Sequence, residues 1–214
     1  MIVLVLDPAT STGYCLVDLQ DDTADIYEYG FIDVDSSSNY QGDHCLDLME
    51  RVKNLIDTEC VGHIAIEDYF FSKRFATGCN VNGAYRTAIH ILARQKGLEY
   101  TILNVSSWKT FVAGYSNPSR EQKKLWGPGP AKKLFIQHAL WTKYGFRFPN
   151  HSISETTGKP ITFRNDIVDA VGQAVYYCGL CCGVRNITMS MEAAEDVVFK
   201  KPSKKRYVYS TRKS

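Results

Sequence analysis

The run IVLVLD at residues 2–7 limits this chain more than any other feature. Unbroken aliphatic residues, several of them β-branched, favour a strand buried on both faces, since a half-exposed strand would alternate with polar residues. The run ends in an acid, Asp7, followed by Pro8. A carboxylate at the end of a buried strand is costly unless something compensates its charge. The pattern returns at GHIAIE, residues 62–67, which ends on Glu67.

Around these two strands the chain alternates. A small polar turn, ATSTG, leads into YCLVDL and then IYEYGFIDV (residues 26–34), a second and third strand in a meander. Residues 44–58 carry Leu46, Leu48, Met49, Val52, Leu55 and Ile56 at helical spacing. Residues 82–96 read as a helix packing Ala84, Ala88, Ile91 and Leu92, and residues 99–105 as another strand. Residues 131–144 return to helix. Residues 165–183 form a last apolar helix, with Asn165 as N-cap and Asp166 in the first turn. The expected architecture is α/β, a mixed five-stranded sheet flanked by helices. Residues 115–130, with three prolines, are expected to be a surface loop beside a functional face, and residues 145–164 an irregular insertion.

A length of 214 residues suits one domain with a sizeable core. Residues 1–198 are assigned to it and residues 199–214 to a basic, flexible tail. That tail holds seven of the basic residues and no acid, so removing it from the net charge of +2 leaves the remainder at −5. An acidic body with a basic tail suits a polyanionic partner. No stretch approaches the ~18 apolar residues of a membrane span, so no membrane partner is expected. The N-terminus lacks the basic region and cleavage site of a secretory signal. Seven cysteines without such a signal suggest free thiols in a reducing compartment. Cys178, Cys181 and Cys182 read as helix packing rather than a zinc site.

Four acids stand out by position. Asp7 and Glu67 end buried strands, and Asp166 and Asp169 share one face of the last helix. Each has a plainer use: Asp7 as a turn starter before proline, Glu67 at a surface strand end, Asp166 on the helix dipole. Brought together, they would repel strongly, and hard divalent cations would relieve that repulsion.

The motifs resemble those of the RuvC-type Holliday-junction resolvases, of the ribonuclease H-like superfamily and with viral and phage members. VLVLDPATSTGYCLV is similar to their opening strand-turn-strand, HIAIEDYFFSK to their second motif, and VSSWKTFVAG to the segment with a lysine before an apolar pair and glycine. AKKLFIQHAL resembles the following basic helix start and NDIVDAVGQAV the closing D-x-x-D-A helix. The likeness covers residues 1–114 and 131–182. It implies a ribonuclease H-like fold in which Asp7, Glu67, Asp166 and Asp169 ligate two Mg²⁺ or Mn²⁺ ions, addressing both ends of an in-line displacement. It implies that Lys109 and Lys133 lie near the scissile phosphate, Lys132 being the neighbouring alternative. It places Phe70, with Tyr69 and Phe71, at the junction centre.

The implied activity is metal-dependent, structure-specific cutting of four-way or other branched DNA, by paired symmetric nicks. Two nicks need two sites, hence a homodimer, with the apolar face around residues 82–96 as its expected surface. Tyr69, Phe70 and Phe71 beside Lys73 and Arg74 offer stacking and phosphate contacts. Arg120, Lys123, Lys124 and Lys132 add a second DNA-binding patch. The expected location is the cytoplasm or nucleoid, or a host-cell compartment for a viral member. Rival readings are a ribonuclease H-like nuclease acting on RNA or RNA:DNA hybrid, an actin-like ATP-binding phosphotransferase, and a catalytically dead junction-binding scaffold. The phosphotransferase would need a second glycine-rich nucleotide motif, which the chain lacks, and the presence of all four acids argues against the scaffold.

Overall fold

A computed structural model describes residues 1–35, 37–68, 76–148 and 164–190, with the backbone alone for 76–80. Strands β1 (Ile2–Asp7), β2 (Ser11–Leu19) and β3 (Thr23–Asp33) form the meander. The turn between β1 and β2 is closed by buried Thr12, whose hydroxyl donates to the Ala9 carbonyl at 2.7 Å. Helix α1 (Gln41–Glu59) leads to β4 (His63–Glu67), and α2 (Ala76–Lys96) to β5 (Glu99–Leu103). Then follow α3 (Val105–Ala113), α4 (Arg120–Trp126), α5 (Pro128–Tyr144), α6 (Asn165–Tyr176) and β6 (Asn186–Met189).

The sheet has six strands in the order β5-β4-β1-β2-β3-β6. β4, β5 and β6 each run parallel to their inner neighbour, while the meander is antiparallel. The five expected strands are all present. The sixth follows a π-helical turn at Tyr177–Cys181, which ends the apolar helix early and sends the chain back along β3.

β1 is central, so both its faces are covered. Leu4 and Leu6 pack under α1 and α2 with Leu48, Val52, Ile56, Tyr85 and Ile89. Val3 and Val5 pack on the other side with α3, α5 and α6. Two helical positions point the wrong way for the sequence reading: Leu46 is 64% exposed and Ile91 is 49% exposed. The apolar face of α2 expected as a dimer surface, with Tyr85, Ala88, Ile89, Leu92 and Ala93, is instead buried within this chain.

Residues 115–130 are not a surface loop. Ser119 and Gln122 form a capping box that starts α4, Trp126 is buried, and α5 begins at Pro128, three residues before expected. The signal is present as S-x-x-Q, outweighed by three prolines: Pro118 precedes α4, and Pro128 and Pro130 lie in the first turn of α5, where a missing amide costs no helical bond. The strand expected over 99–105 stops at Leu103, because the Asn104 side chain caps α3 by accepting from the amides of Ser106 and Ser107. At α6, Asn165 is the first helical residue and not the cap. Cys178 is buried in the core, while Cys181 and Cys182 are exposed. Residues 149–163 of the second insertion and the tail lie outside the described residues, but Phe146 and Phe148 at the insertion's start are core residues. No helix among the described residues is long and apolar enough to cross a membrane.

Candidate active site

Strand parity decides where the first two acids face. Val3 and Val5 belong to the core under α3, α5 and α6, so Asp7, next in the odd series, turns to that side. Ala65 of β4 lies in the same core, and Glu67 follows it by two. β1 and β4 are parallel, with Val5 beside Ala65 and Leu6 beside Ile66. Asp7 and Glu67 therefore end neighbouring strands together, close enough for the Glu67 charge to act on Asp7.

Helix α6 brings the other pair. Gly13 of β2 lies opposite Asp7. A β-carbon at Gly13 would overlap the Asp166 carbonyl and come within 3.1 Å of the Ile167 nitrogen. The first turn of α6 rests on bare β2 backbone there, beside Asp7. Asp166 and Asp169 are both partly buried.

The electrostatics are those of crowded carboxylates in a poorly hydrated place. Burial pushes Asp7 well above the usual carboxylate range, and the charges of Glu67, Asp169 and Asp166 push the same way. Burial also pushes Asp169 up to about 7, against the pull of Lys109, with Glu67 and Asp166 raising it further. Asp166 is raised by burial and held down in part by Arg164, a hydrogen bond from Ser11 and Lys133.

Fixed donors surround the cluster. The Trp108 indole Nε1–H donates to Glu67 Oε1 at 2.9 Å. The Asn165 amide donates to Asp169 Oδ2 at 3.0 Å. Arg164 sits with its guanidinium carbon 3.2 Å from the Phe31 ring centroid, donates to Ser11 Oγ at 3.2 Å, and lies 3.5 Å from Asp33. The sequence does not mark Trp108, Ser11 or Arg164 for the site, and it offers Asn165 only as a helix cap. Only their neighbours in the chain hint at them, since each lies within four residues of an acid or lysine that it does mark.

The structure brings Asp7, Glu67, Asp166 and Asp169 together, with Lys109 acting on Asp169 and Lys133 on Asp166. Lys132 is exposed beside it at the start of α5, and Arg120, Lys123 and Lys124 are exposed on α4. Tyr69, Phe70, Phe71, Lys73 and Arg74 lie outside the described residues. A cavity of about 590 Å³ lined by His63, Arg94, Tyr100 and Thr101 opens at the opposite end of β4 and β5 and takes no part in this cluster. A polymer substrate needs an open face more than a cavity, so the two need not coincide.

The donor set fits a hard divalent cation: oxygen ligands, negative charge in excess, and protonation that a cation would displace. Among the described residues no three histidine, cysteine or acidic side chains form a ready-made cage. Mg²⁺ does not require one, because it keeps waters and takes phosphate oxygens alongside one or two carboxylates.

A family model described as crossover junction endodeoxyribonuclease RuvC matches residues 3–126, more than half of the chain. The chain belongs to the RuvC family. The matched stretch of this RuvC-family chain holds Asp7, Glu67 and Lys109 and ends before α5 and α6. The crossover junction endodeoxyribonuclease RuvC of Dictyoglomus thermophilum is 30% identical over 123 residues, covering 57% of this chain and 77% of that protein. That of Heliobacterium modesticaldum is 27% identical over 123 residues, covering 57% of this chain and 75% of its own. The T. thermophilus RuvC structure in complex with Holliday junction substrate aligns with a TM-score of 0.59 at 14% identity, over 86% of this chain and 96% of that one. That last likeness supports the ribonuclease H-like RuvC fold.

Proposed function

We propose that this RuvC-family protein is a Holliday-junction resolvase that nicks four-way DNA in pairs as a homodimer. The observation that carries the proposal is the gathering of Asp7, Glu67, Asp166 and Asp169 at one end of the sheet, with Lys109 and Lys133 in charge range. These four carboxylates would hold two Mg²⁺ or Mn²⁺ ions, which when bound supply activation of water and charge stabilisation on the leaving 3′ oxygen.

The chain's own groups do the rest. Asp7 and Glu67 are held by the strand ends that carry them, so little reorganisation is needed when substrate arrives. Lys109 and Lys133 supply positive charge where a phosphoryl group gains negative charge. Arg164, braced on Phe31, is a planar cation at the edge of the cluster and suits a phosphate oxygen. Arg120, Lys123, Lys124 and Lys132 extend that positive surface along α4 and α5, and contacts of this kind fix register on a backbone without reading sequence.

The test is cleavage of a synthetic four-way junction with Mg²⁺ or Mn²⁺, with nick positions mapped on all strands. Paired nicks at symmetric positions across the branch point are expected. Cutting of RNA:DNA hybrid or linear duplex in preference to the junction would overturn the proposal.

A further inference from the structure

Trp108 stands between three parts of the site. It is fully buried. Its indole N–H reaches Glu67 on β4 at 2.9 Å. Its ring lies against α6, since a β-carbon at Gly172, three residues past Asp169, would come within 2.8 Å of Trp108 Cζ3. The Lys109 ammonium lies 4.9 Å from its ring centroid.

An indole N–H only donates; it neither accepts nor ionises. Its bond therefore holds the Glu67 carboxylate in one rotamer through Oε1, so that Oε2 is the oxygen a cation would take. A phenylalanine could fill much of the same space but could not do this. The large rigid ring also sets the spacing between β4 and α6, which carry different carboxylates of one cluster.

We propose that Trp108 is a positioning residue for metal binding, fixing Glu67 as a ligand through one oxygen and holding its strand in register with Asp169. The inference rests on the proposed metal site and deepens it. Donors behind a metal ligand orient it, and their loss commonly weakens metal affinity about 10–100-fold.

The experiment measures Mn²⁺ binding to the whole protein without DNA, by calorimetry or by paramagnetic resonance of free Mn²⁺. Wild-type, W108F, D7N and E67Q proteins are compared, with thermal melts in chelator as a folding control. Wild-type protein is expected to bind Mn²⁺, D7N and E67Q to lose that binding, and folded W108F to bind at least tenfold more weakly. Wild-type binding indifferent to Asp7 and Glu67 would overturn the metal-site reading. Binding that needs both acids but is unchanged in W108F would overturn the role of Trp108 alone.

Should W108F fail to fold, a W126F/W141F protein leaves Trp108 as the sole tryptophan. Its fluorescence should then be quenched by Mn²⁺ with the midpoint of the binding curve. Unquenched emission at saturating Mn²⁺ would overturn the inference.

Discussion

Gly13 and Asp166 are packed backbone to backbone: the carbonyl of Asp166 occupies the space where any β-carbon at position 13 would go. Gly13 pairs with Asp7 across β1 and β2. One missing side chain thus sets how near the α6 acids come to the strand acid. Gly13→Ala is expected to push α6 outward, costing about 1–3 kcal/mol of stability as an overpacking change. Cleavage should fall more steeply than stability, by roughly 10²-fold, because displacements of about 1 Å at a reacting centre are that damaging. Chemical denaturation and single-turnover cleavage of the same preparation check it. An alanine variant of normal activity would show that this contact does not set the site.

Removing a carboxylate should separate cutting from binding. Asp7→Asn, Glu67→Gln and Asp169→Asn are each expected to lower cleavage roughly 10³-fold or more, while junction affinity stays within about threefold. Gel-shift and nicking assays on one labelled junction read both. Wild-type cutting in any two of these variants would disprove the site.

Stability of the metal-free protein should fall as pH rises. Burial holds Asp169 up to about 7 and Asp7 well above 3.8, the ordinary aspartate value that the unfolded chain would show. Between the unfolded and folded values the native state binds more protons than the unfolded state, so each unit of pH removes stability. The contribution is complete below about pH 4 and is lost as pH climbs through about 7. Melting in chelator should therefore give a higher Tm near pH 5 than near pH 8. Asp169→Asn should raise the Tm near pH 8 by about 4 °C or more, and Mn²⁺ should flatten the profile. A metal-free Tm that climbs from about pH 5 to pH 8 would contradict the burial of these acids.

Lys132 and Lys133 are neighbours in sequence, and the Lys133 charge helps hold Asp166 down. Lys133→Ala is expected to slow cleavage roughly 10²-fold at saturating protein, and Lys109→Ala comparably, with Lys132→Ala within about threefold of wild type. Single-turnover rates distinguish them. Equal losses at 132 and 133 would place the two lysines in one general phosphate-binding role.

DNA affinity should depend on salt through α4 and the basic tail. Replacing Arg120, Lys123 and Lys124 with alanine, or removing residues 199–214, should lower the slope of log affinity against log salt by about 0.9 for each DNA phosphate that the protein no longer neutralises. Titration of junction DNA at several salt concentrations measures it. An unchanged slope would assign these charges to solubility.

Much of the frame is legible in the linear pattern. The aliphatic run of β1 announces a central strand because only a strand covered on both sides can hold Val3, Leu4, Val5 and Leu6 together. The three-residue spacing of Asp166 and Asp169 places them on one helix face before any fold is known. Periodicity, however, reports that a helix has an apolar side, not which partner covers it, so the buried stripe of α2 reads as a free surface until the fold is seen. Turn residues likewise mark a break without saying whether a capped helix such as α4 follows.

What the sequence determines alone is the set of acids, the strands and helix that bear them, and the side of each element they occupy, because those depend on the short periods of strand and helix. Only the tertiary structure decides that Gly13 makes room for Asp166, that the Trp108 indole reaches Glu67 across 41 residues, and that Lys133 comes near enough for its charge to act on Asp166. Those relations join distant parts of the chain through close packing, and no local pattern records which distant surface a side chain will meet.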